Sequence, residues 1–151
     1  MERIRCGVIG LGWFGEHHVD VLQQLPLADV TAVCTRRPDH LREMADKYNI
    51  SKTFTSYEEL LADEEIDMVT VVTHVDNHLE PTIAAIRAGK HVFLEKPMAD
   101  TVEQCDQILA ALEDTDKAFM VGHICRFDST YALAKEEIDA GQLGKILTIH
   151  S

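Results

Sequence analysis

Three glycines near the start of the chain have the spacing of a turn that binds phosphate groups. Gly10, Gly12 and Gly15 follow a short apolar run and open a segment whose apolar residues recur at helical spacing. The first glycine permits a tight turn, the second lets the backbone approach a pyrophosphate, and the third allows close packing of the helix. Because a helix N-terminus stabilises anions, we expect this turn, with Trp13 and Phe14, to bind a dinucleotide.

The residues that end the second apolar run bear on the choice of cofactor. A site for NAD or for S-adenosylmethionine generally has an acidic residue here that binds the ribose hydroxyls, whereas this chain has Thr35, Arg36 and Arg37. A hydroxyl beside two guanidinium groups is better matched to a 2′-phosphate. We therefore favour NADP, with NAD as the alternative, since arginine can also stack on adenine.

Strand and helix patterns alternate along the chain and must position these residues. Apolar, β-rich runs predict strands at residues 4–9, 29–34, 53–54, 68–72, 91–94 and 118–121. Helical patterns follow at about 14–25, 38–48, 56–61, 77–88, 101–112 and 129–140. This alternation predicts an α/β fold, a doubly wound parallel sheet with helices on both faces. We assign the strand-like residues 145–151 to a further domain, with an edge strand of the same sheet as the alternative.

A second motif lies after the fifth predicted strand. Residues 89–98 read GKHVFLEKPM, and with the glycine turn they strongly resemble the glucose-fructose oxidoreductase, inositol dehydrogenase and MocA family. Thr73 and His78, residues 122–128 and residues 141–145 also fit this family. The resemblance runs through essentially the whole chain, but these motifs mark the family and not one substrate.

The resemblance implies a Rossmann NAD(P)-binding fold and an oxidoreductase that transfers a hydride between nicotinamide and a sugar, a polyol or a related hydroxy compound. Residues 1–123 would form the dinucleotide-binding domain and residues 124–145 a connecting helical region. Residues 146–151 would begin a second α/β domain that binds substrate and forms a homo-oligomer. Since the family's proton-handling histidine lies in that domain, we expect this chain alone to bind cofactor with little or no turnover.

By the same resemblance, Lys96 is the catalytic candidate. An ammonium group at this position could stabilise developing alkoxide charge and help the substrate proton to leave. Glu95 would hold the lysine and the nicotinamide end of the cofactor. Pro97 would impose a turn, and a cis Lys96–Pro97 bond is the arrangement that would aim the lysine into the cleft.

Four further residues are expected near the cofactor through the resemblance: Thr73, His74, His78 and Arg126. Thr73 would reach the ribose or the nicotinamide, and His78 occupies the family's histidine position. The family commonly has proline and asparagine after that threonine, where this chain has His74 and Val75, so the contacts of that asparagine are not carried over. Arg126 is a candidate on the cofactor side, although the residues before it also depart from the family pattern.

Composition narrows the possible partners. Asp and Glu number 26 against 14 Lys and Arg, which gives a net charge of −12, so we expect no binding to nucleic acid or to an anionic membrane. No stretch reaches the roughly 18 apolar residues of a membrane span, and we expect a cytoplasmic protein. The four cysteines form no CxxC pair and the eight histidines lack ligand spacing, so we expect no metal.

Two alternatives to a sugar or polyol enzyme stay open. A regulatory protein could keep this fold as a sensor of a dinucleotide or a sugar, because fold alone does not determine function. An enzyme with the same nucleotide-binding half could act on another substrate, as biliverdin-like and trans-dihydrodiol reductases of this architecture do. Glu95 and Lys96 favour an enzyme, whereas the substrate depends on the second domain.

Overall fold

A six-stranded parallel sheet is the frame of the structure, a computed structural model that describes residues 3–150. The strands are β1 (Ile4–Ile9), β2 (Ala28–Cys34), β3 (Lys52–Phe54), β4 (Met68–Val71), β5 (His91–Glu95) and β6 (Phe119–Gly122). Their order across the sheet is β3-β2-β1-β4-β5-β6, and every neighbouring pair is parallel. The order reverses between β1 and β4, and such reversals open a crevice at the carboxyl ends of the strands.

Helices cover both faces of this sheet, as predicted. They are α1 (Trp13–Gln24), α2 (Pro38–Tyr48), α3 (Tyr57–Leu61), α4 (Leu79–Arg87), α5 (Val102–Leu112) and α6 (Ser129–Asp139). One apolar core joins the sheet to α1 and α2 through residues such as Val19 and Met44. The other joins it to α3, α4 and α5 through Leu60, Ile86 and Ile108. The predicted fold class, a doubly wound α/β sheet, is therefore confirmed.

Local chemistry fixes where several helices begin and end. The side chains of Ser56 and Thr101 accept hydrogen bonds from the backbone amides three residues later, at the starts of α3 and α5. Pro38 lies in the first turn of α2, where its missing N–H costs nothing. Asn49, with a φ of 54°, ends α2, and Gly89, with a φ of 69°, follows α4.

The predicted helix over residues 77–88 is in fact divided. A 3₁₀ turn spans Val75–Asn77, and α4 begins only at Leu79. Pro81 has no N–H to donate to the carbonyl four residues earlier, that of Asn77. The Thr73 hydroxyl donates to this carbonyl instead, at 2.9 Å, so the segment before α4 packs back on the end of β4.

The segment after β6 does not join the sheet. A 3₁₀ turn at Ile124–Phe127 leads into α6, in which every residue except Ile138 is exposed. Residues 145–150 form no strand, so the alternative of an edge strand of this sheet is not realised in the part described, and Ser151 lies outside the described residues. A strand needs a hydrogen-bonded neighbour, and these residues pair with none in the sheet. No helix within residues 3–150 has the length and apolar character needed to cross a membrane.

Candidate functional site

Backbone atoms closely surround two of the three glycines of the turn. Gly10 has a φ of 98°, and a Cβ there would lie 2.6 Å from the Val72 carbonyl oxygen. A Cβ at Gly15 would lie 1.9 Å from the Gly10 carbonyl oxygen, so the third glycine lets α1 pack on the turn itself. At Gly12 a Cβ would meet no described atom within 4 Å. The surface above Gly12 is thus open, as close approach of a ligand to the backbone requires.

The start of α1 is suited to an anion. Gly12 is its N-cap residue and offers no side-chain acceptor to the first backbone amides. Trp13 is 82% exposed at the first position of the helix, and its ring lies parallel to that of His17, with 6.3 Å between the ring centroids. The unpaired amides and the helix dipole would stabilise a pyrophosphate here.

A cleft of about 930 Å³ lies beside this turn, at the carboxyl edge of the sheet. This volume is within the range of cofactor sites in proteins. Ten of the predicted cofactor-binding residues line the cleft: Gly10, Gly12, Trp13, Phe14, Gly15, Thr35, Arg36, Arg37, Thr73 and His74. Five predicted residues do not line it: His78, Glu95, Lys96, Pro97 and Arg126.

The two arginines after β2 have different surroundings. Arg37 donates from Nη2 to the Leu11 carbonyl oxygen at 2.9 Å, and the His40 ring nitrogen Nε2 lies 2.7 Å from the same oxygen. Both side chains therefore fasten the start of α2 to the glycine turn. Arg36 is exposed and forms no hydrogen bond or ion pair with the described part of the chain. The Arg36 guanidinium can therefore meet a ligand without breaking a contact.

The loop that enters α3 also faces the cleft, although the sequence patterns did not single it out. Ser56, Tyr57 and Glu58 line the cleft on the side of β2 and β3. The Ser56 hydroxyl is hydrogen-bonded to the Glu58 carboxylate, and this contact lowers the pKa of Glu58. The position of this loop beside the cleft follows from the pairing of β3 with β2, which no local pattern in the sequence reveals.

The Lys96 loop leaves the sheet directly after β5. The Glu95 side chain is buried, and its Oε2 accepts a hydrogen bond from the Lys96 backbone amide at 2.9 Å. The Lys96–Pro97 peptide bond is cis, as the sequence analysis anticipated. Lys96 itself is exposed, and its ammonium group has no hydrogen bond or ion pair within residues 3–150. The Lys96 ammonium is thus available at the carboxyl edge of the sheet.

His18 contacts Glu95 from the opposite side. The His18 Nε2 lies 3.3 Å from Glu95 Oε1, and both side chains are largely buried. Burial lowers the pKa of His18, against the opposing attraction of the Glu95 carboxylate. No local spacing in the sequence connects His18 with Glu95, because 77 residues separate the two.

His78 has a different place from the one expected. It is 1% exposed, and its ring nitrogens lie 2.9 Å from the Pro97 carbonyl oxygen and 3.1 Å from that of Thr73. The prediction of a direct cofactor contact is therefore corrected, because the ring has no free surface in this conformation. Instead, His78 joins the Lys96 loop to the end of β4.

Arg126 stands apart from the cleft. It lies in the exposed 3₁₀ turn after β6, and its guanidinium group has no hydrogen bond or ion pair in the part of the chain that the structure describes. Nothing in the structure brings it to the residues around Gly12. Within residues 3–150, no three His, Cys, Asp or Glu side chains are arranged to hold a metal ion.

Comparisons with known proteins identify the family of this chain. The sequence model of the oxidoreductase family with an NAD-binding Rossmann fold matches residues 4–123. Myo-inositol 2-dehydrogenase of Thermotoga maritima is 34% identical over 142 residues, which are 94% of this chain and 42% of that protein. The scyllo-inositol 2-dehydrogenase (NAD(+)) of Bacillus subtilis is 33% identical over 145 residues, which are 95% of this chain and 42% of that protein.

A solved structure has the same fold. Scyllo-inositol dehydrogenase from Lactobacillus casei with bound NAD(H) and scyllo-inositol has a TM-score of 0.91 and 28% identity, over 96% of this chain and 43% of that chain. The chain thus spans less than half the length of these relatives. Because the family model matches most of the chain and the fold agrees, the chain belongs to the oxidoreductase family of glucose-fructose oxidoreductase, inositol dehydrogenase and MocA, with its NAD-binding Rossmann fold.

Proposed function

We propose that this chain is the cofactor-binding half of an NAD(P)-dependent dehydrogenase that acts on a CH–OH group of a sugar, a polyol or a related hydroxy compound. The observation that carries this proposal is the pairing of an open glycine turn with an unpartnered Lys96 ammonium at the same edge of the sheet. Relatives named as inositol dehydrogenases support the substrate class. One of them was solved with both NAD(H) and scyllo-inositol.

The residues would divide the work of such a reaction. The first amides of α1 would hold the pyrophosphate above Gly12, and the residues that end β2 would bind the adenosine ribose. The nicotinamide, when bound, supplies the hydride acceptor. Lys96 would place its ammonium group near the substrate hydroxyl, where it stabilises negative charge on the oxygen and lets the proton leave.

We further propose NADP as the preferred cofactor. The end of β2 presents Thr35 and Arg36 and has no carboxylate of its own, and the Arg36 guanidinium is free to pair with a 2′-phosphate. Glu58 lines the same cleft, and its carboxylate would repel a 2′-phosphate. That carboxylate is hydrogen-bonded to the Ser56 hydroxyl. Relatives named for NAD do not decide between NAD and NADP for this chain, because the preference for one cofactor depends on very few side chains.

Calorimetric titration of the full-length protein with NADPH and NADH, at one low salt concentration, tests this preference. We expect NADPH to bind more tightly. Arg36→Ala should weaken NADPH binding about 10-fold, since a charge-assisted contact contributes about 1.5–3 kcal/mol, and should leave the Kd for NADH nearly unchanged. Arg42→Ala is the matched control, because Arg42 is an exposed arginine of α2 outside the cleft. Equal wild-type dissociation constants would refute the preference.

The proposed reaction is tested at Lys96. Lys96→Met in the full-length protein should lower kcat at least about 100-fold, the usual contribution of a positioned acid or base. The Kd for cofactor should stay within about twofold, because the turn and the cleft are unaltered. Lys135→Met, on the exposed α6 helix, is the control. An unchanged kcat in Lys96→Met would remove the assigned role.

The division of the full-length protein is also a proposal. Residues 1–123 would be the dinucleotide-binding domain, residues 124–145 the connecting region and residues 146–151 the start of the substrate domain. The greater length of the relatives and the family match at residues 4–123 support this division. Homo-oligomer formation through the second domain stays a prediction from the family resemblance.

A further inference from the structure

Glu95 is held from two sides in the interior, between α1 and the Lys96 loop. One carboxylate oxygen lies 3.3 Å from His18 Nε2, and the other accepts the Lys96 amide at 2.9 Å. The side chains of His18 and Glu95 are only 14% and 6% exposed. The carboxylate therefore links a side chain of the first helix to the backbone of the loop that carries the catalytic candidate.

The surroundings leave His18 and Glu95 few alternative positions. The His18 ring meets Phe14 edge-on at 5.3 Å between centroids, and it meets Phe93 at 5.6 Å. A Cβ at Gly122 would lie 2.9 Å from the Phe93 ring and 3.1 Å from Glu95 Oε1. Packing of this closeness keeps the His18 ring and the Glu95 carboxylate in their relative positions.

The protonation state of His18 favours a hydrogen bond to Glu95 over an ion pair. Because burial lowers the pKa of His18, its imidazole is neutral at neutral pH and can carry a proton on Nε2. In that tautomer Nε2–H donates to Glu95 Oε1. The carboxylate keeps its second oxygen for the Lys96 amide, and a buried carboxylate without the histidine would lose one of its two partners.

We propose that His18 is a positioning residue, which fixes the Glu95 carboxylate and through it the backbone from which Lys96 reaches the substrate. The inference rests on the proposed function for its catalytic consequence, but its structural part concerns only residues of this chain. His18 itself does not line the cleft, although its ring packs on Phe14, which does. Its effect is transmitted through one carboxylate.

The experiment compares three substitutions in the full-length protein. His18→Leu keeps an apolar side chain against Phe14 and Phe93 but removes the donor to Glu95. His18→Gln restores an N–H at a similar reach. His18→Asn stays polar but is too short, and it replaces the leucine variant if that variant does not fold. Gln24→Leu is the matched control, because Gln24 is exposed on the same helix and bonds only within it.

The first measurement is hydrogen exchange of peptides covering residues 93–98, without any ligand. We expect faster exchange at the Lys96 amide in His18→Leu, near wild-type exchange in His18→Gln, and no change in Gln24→Leu. This readout is independent of catalysis. Unchanged exchange in His18→Leu, in protein that melts as wild type does, would overturn the inference.

The second measurement separates kcat from cofactor binding. His18→Leu should lower kcat about 10-fold or more, because a small misplacement of a catalytic group is costly, while the Kd for cofactor stays within about twofold. His18→Gln should recover most of the rate. A kcat in His18→Leu equal to that of the wild type would overturn the catalytic part. A wild-type protein that turns over no polyol would refute the proposed function, and the exchange result would still decide the positioning role.

Discussion

The two lysines of the motif at residues 89–98 have opposite environments. Lys90 is 7% exposed, and its ammonium donates to the carbonyl oxygens of Asp63 and Ile66 at 2.8 and 2.7 Å. Burial lowers the pKa of Lys90. Lys96 is exposed, and its ammonium group has no partner among the described residues. Lys90 therefore stabilises the loop before β4, and Lys96 is the lysine that can act on a ligand.

Substitutions at Gly12 and Gly15 should affect cofactor binding and stability separately. In Gly15→Ala the new methyl group would meet the Gly10 carbonyl oxygen at 1.9 Å, and we expect a loss of roughly 3 kcal/mol in the free energy of unfolding, at the upper end for overpacking. Gly12→Ala has open space and a φ of −78°, which alanine adopts readily. It should keep its stability but bind cofactor about 10-fold more weakly, because the methyl group lies where the pyrophosphate approaches.

Denaturant unfolding and cofactor titration of both variants check this pair. The two variants are controls for each other, since both add one methyl group to the same turn. Tight cofactor binding by Gly12→Ala would show that no ligand lies above Gly12. Wild-type stability of Gly15→Ala would show that α1 can move away from the Gly10 carbonyl.

At the scale of helices and strands, the sequence predicts what local patterns determine. The alternation of runs and the glycine turn placed all six strands and six helices to within a few residues. The 3₁₀ turn at Val75–Asn77 was missed, because its cause is the missing donor of Pro81 together with a hydrogen bond from Thr73. The alternative of an edge strand after residue 145 is not realised in residues 145–150, because a β-type pattern does not reveal whether a neighbouring strand exists.

Contacts between distant elements explain the rest of the differences at the site. Arg37 lines the cleft, and it also donates to the Leu11 carbonyl of another βα unit, a contact that no local pattern predicts. His78 was expected at the cofactor, but its ring is enclosed by the Lys96 loop and the end of β4. His18 was not singled out, since no local spacing connects it with Glu95. Residue type and strand end predicted which residues gather at this edge, whereas the partner of each side chain depends on the packing of helices against the sheet.

At the scale of the whole molecule, α5 and α6 are two helices of equal length with unequal support. Each has 11 residues. Helix α5 packs on the sheet through Ile108, which is fully buried, whereas α6 exposes Tyr131 and Leu133 by 54% and 58%. An isolated helix of this length is marginal in water. The Asp128 cap, which accepts from the Thr130 and Tyr131 amides at 2.9 and 3.3 Å, contributes only about 1 kcal/mol.

Hydrogen exchange of this chain should therefore distinguish the two helices. We expect the amides of α6 to exchange close to the rate of an unprotected peptide, and those of α5 to be protected almost as well as the central strands, because protection follows buried contacts. The measurement is made at two protein concentrations at neutral pH. Protection of α6 equal to that of α5 at both concentrations would contradict the prediction. Protection that appears only at the higher concentration would mean that copies of the chain cover the exposed apolar side chains of α6, since burial of such side chains drives association.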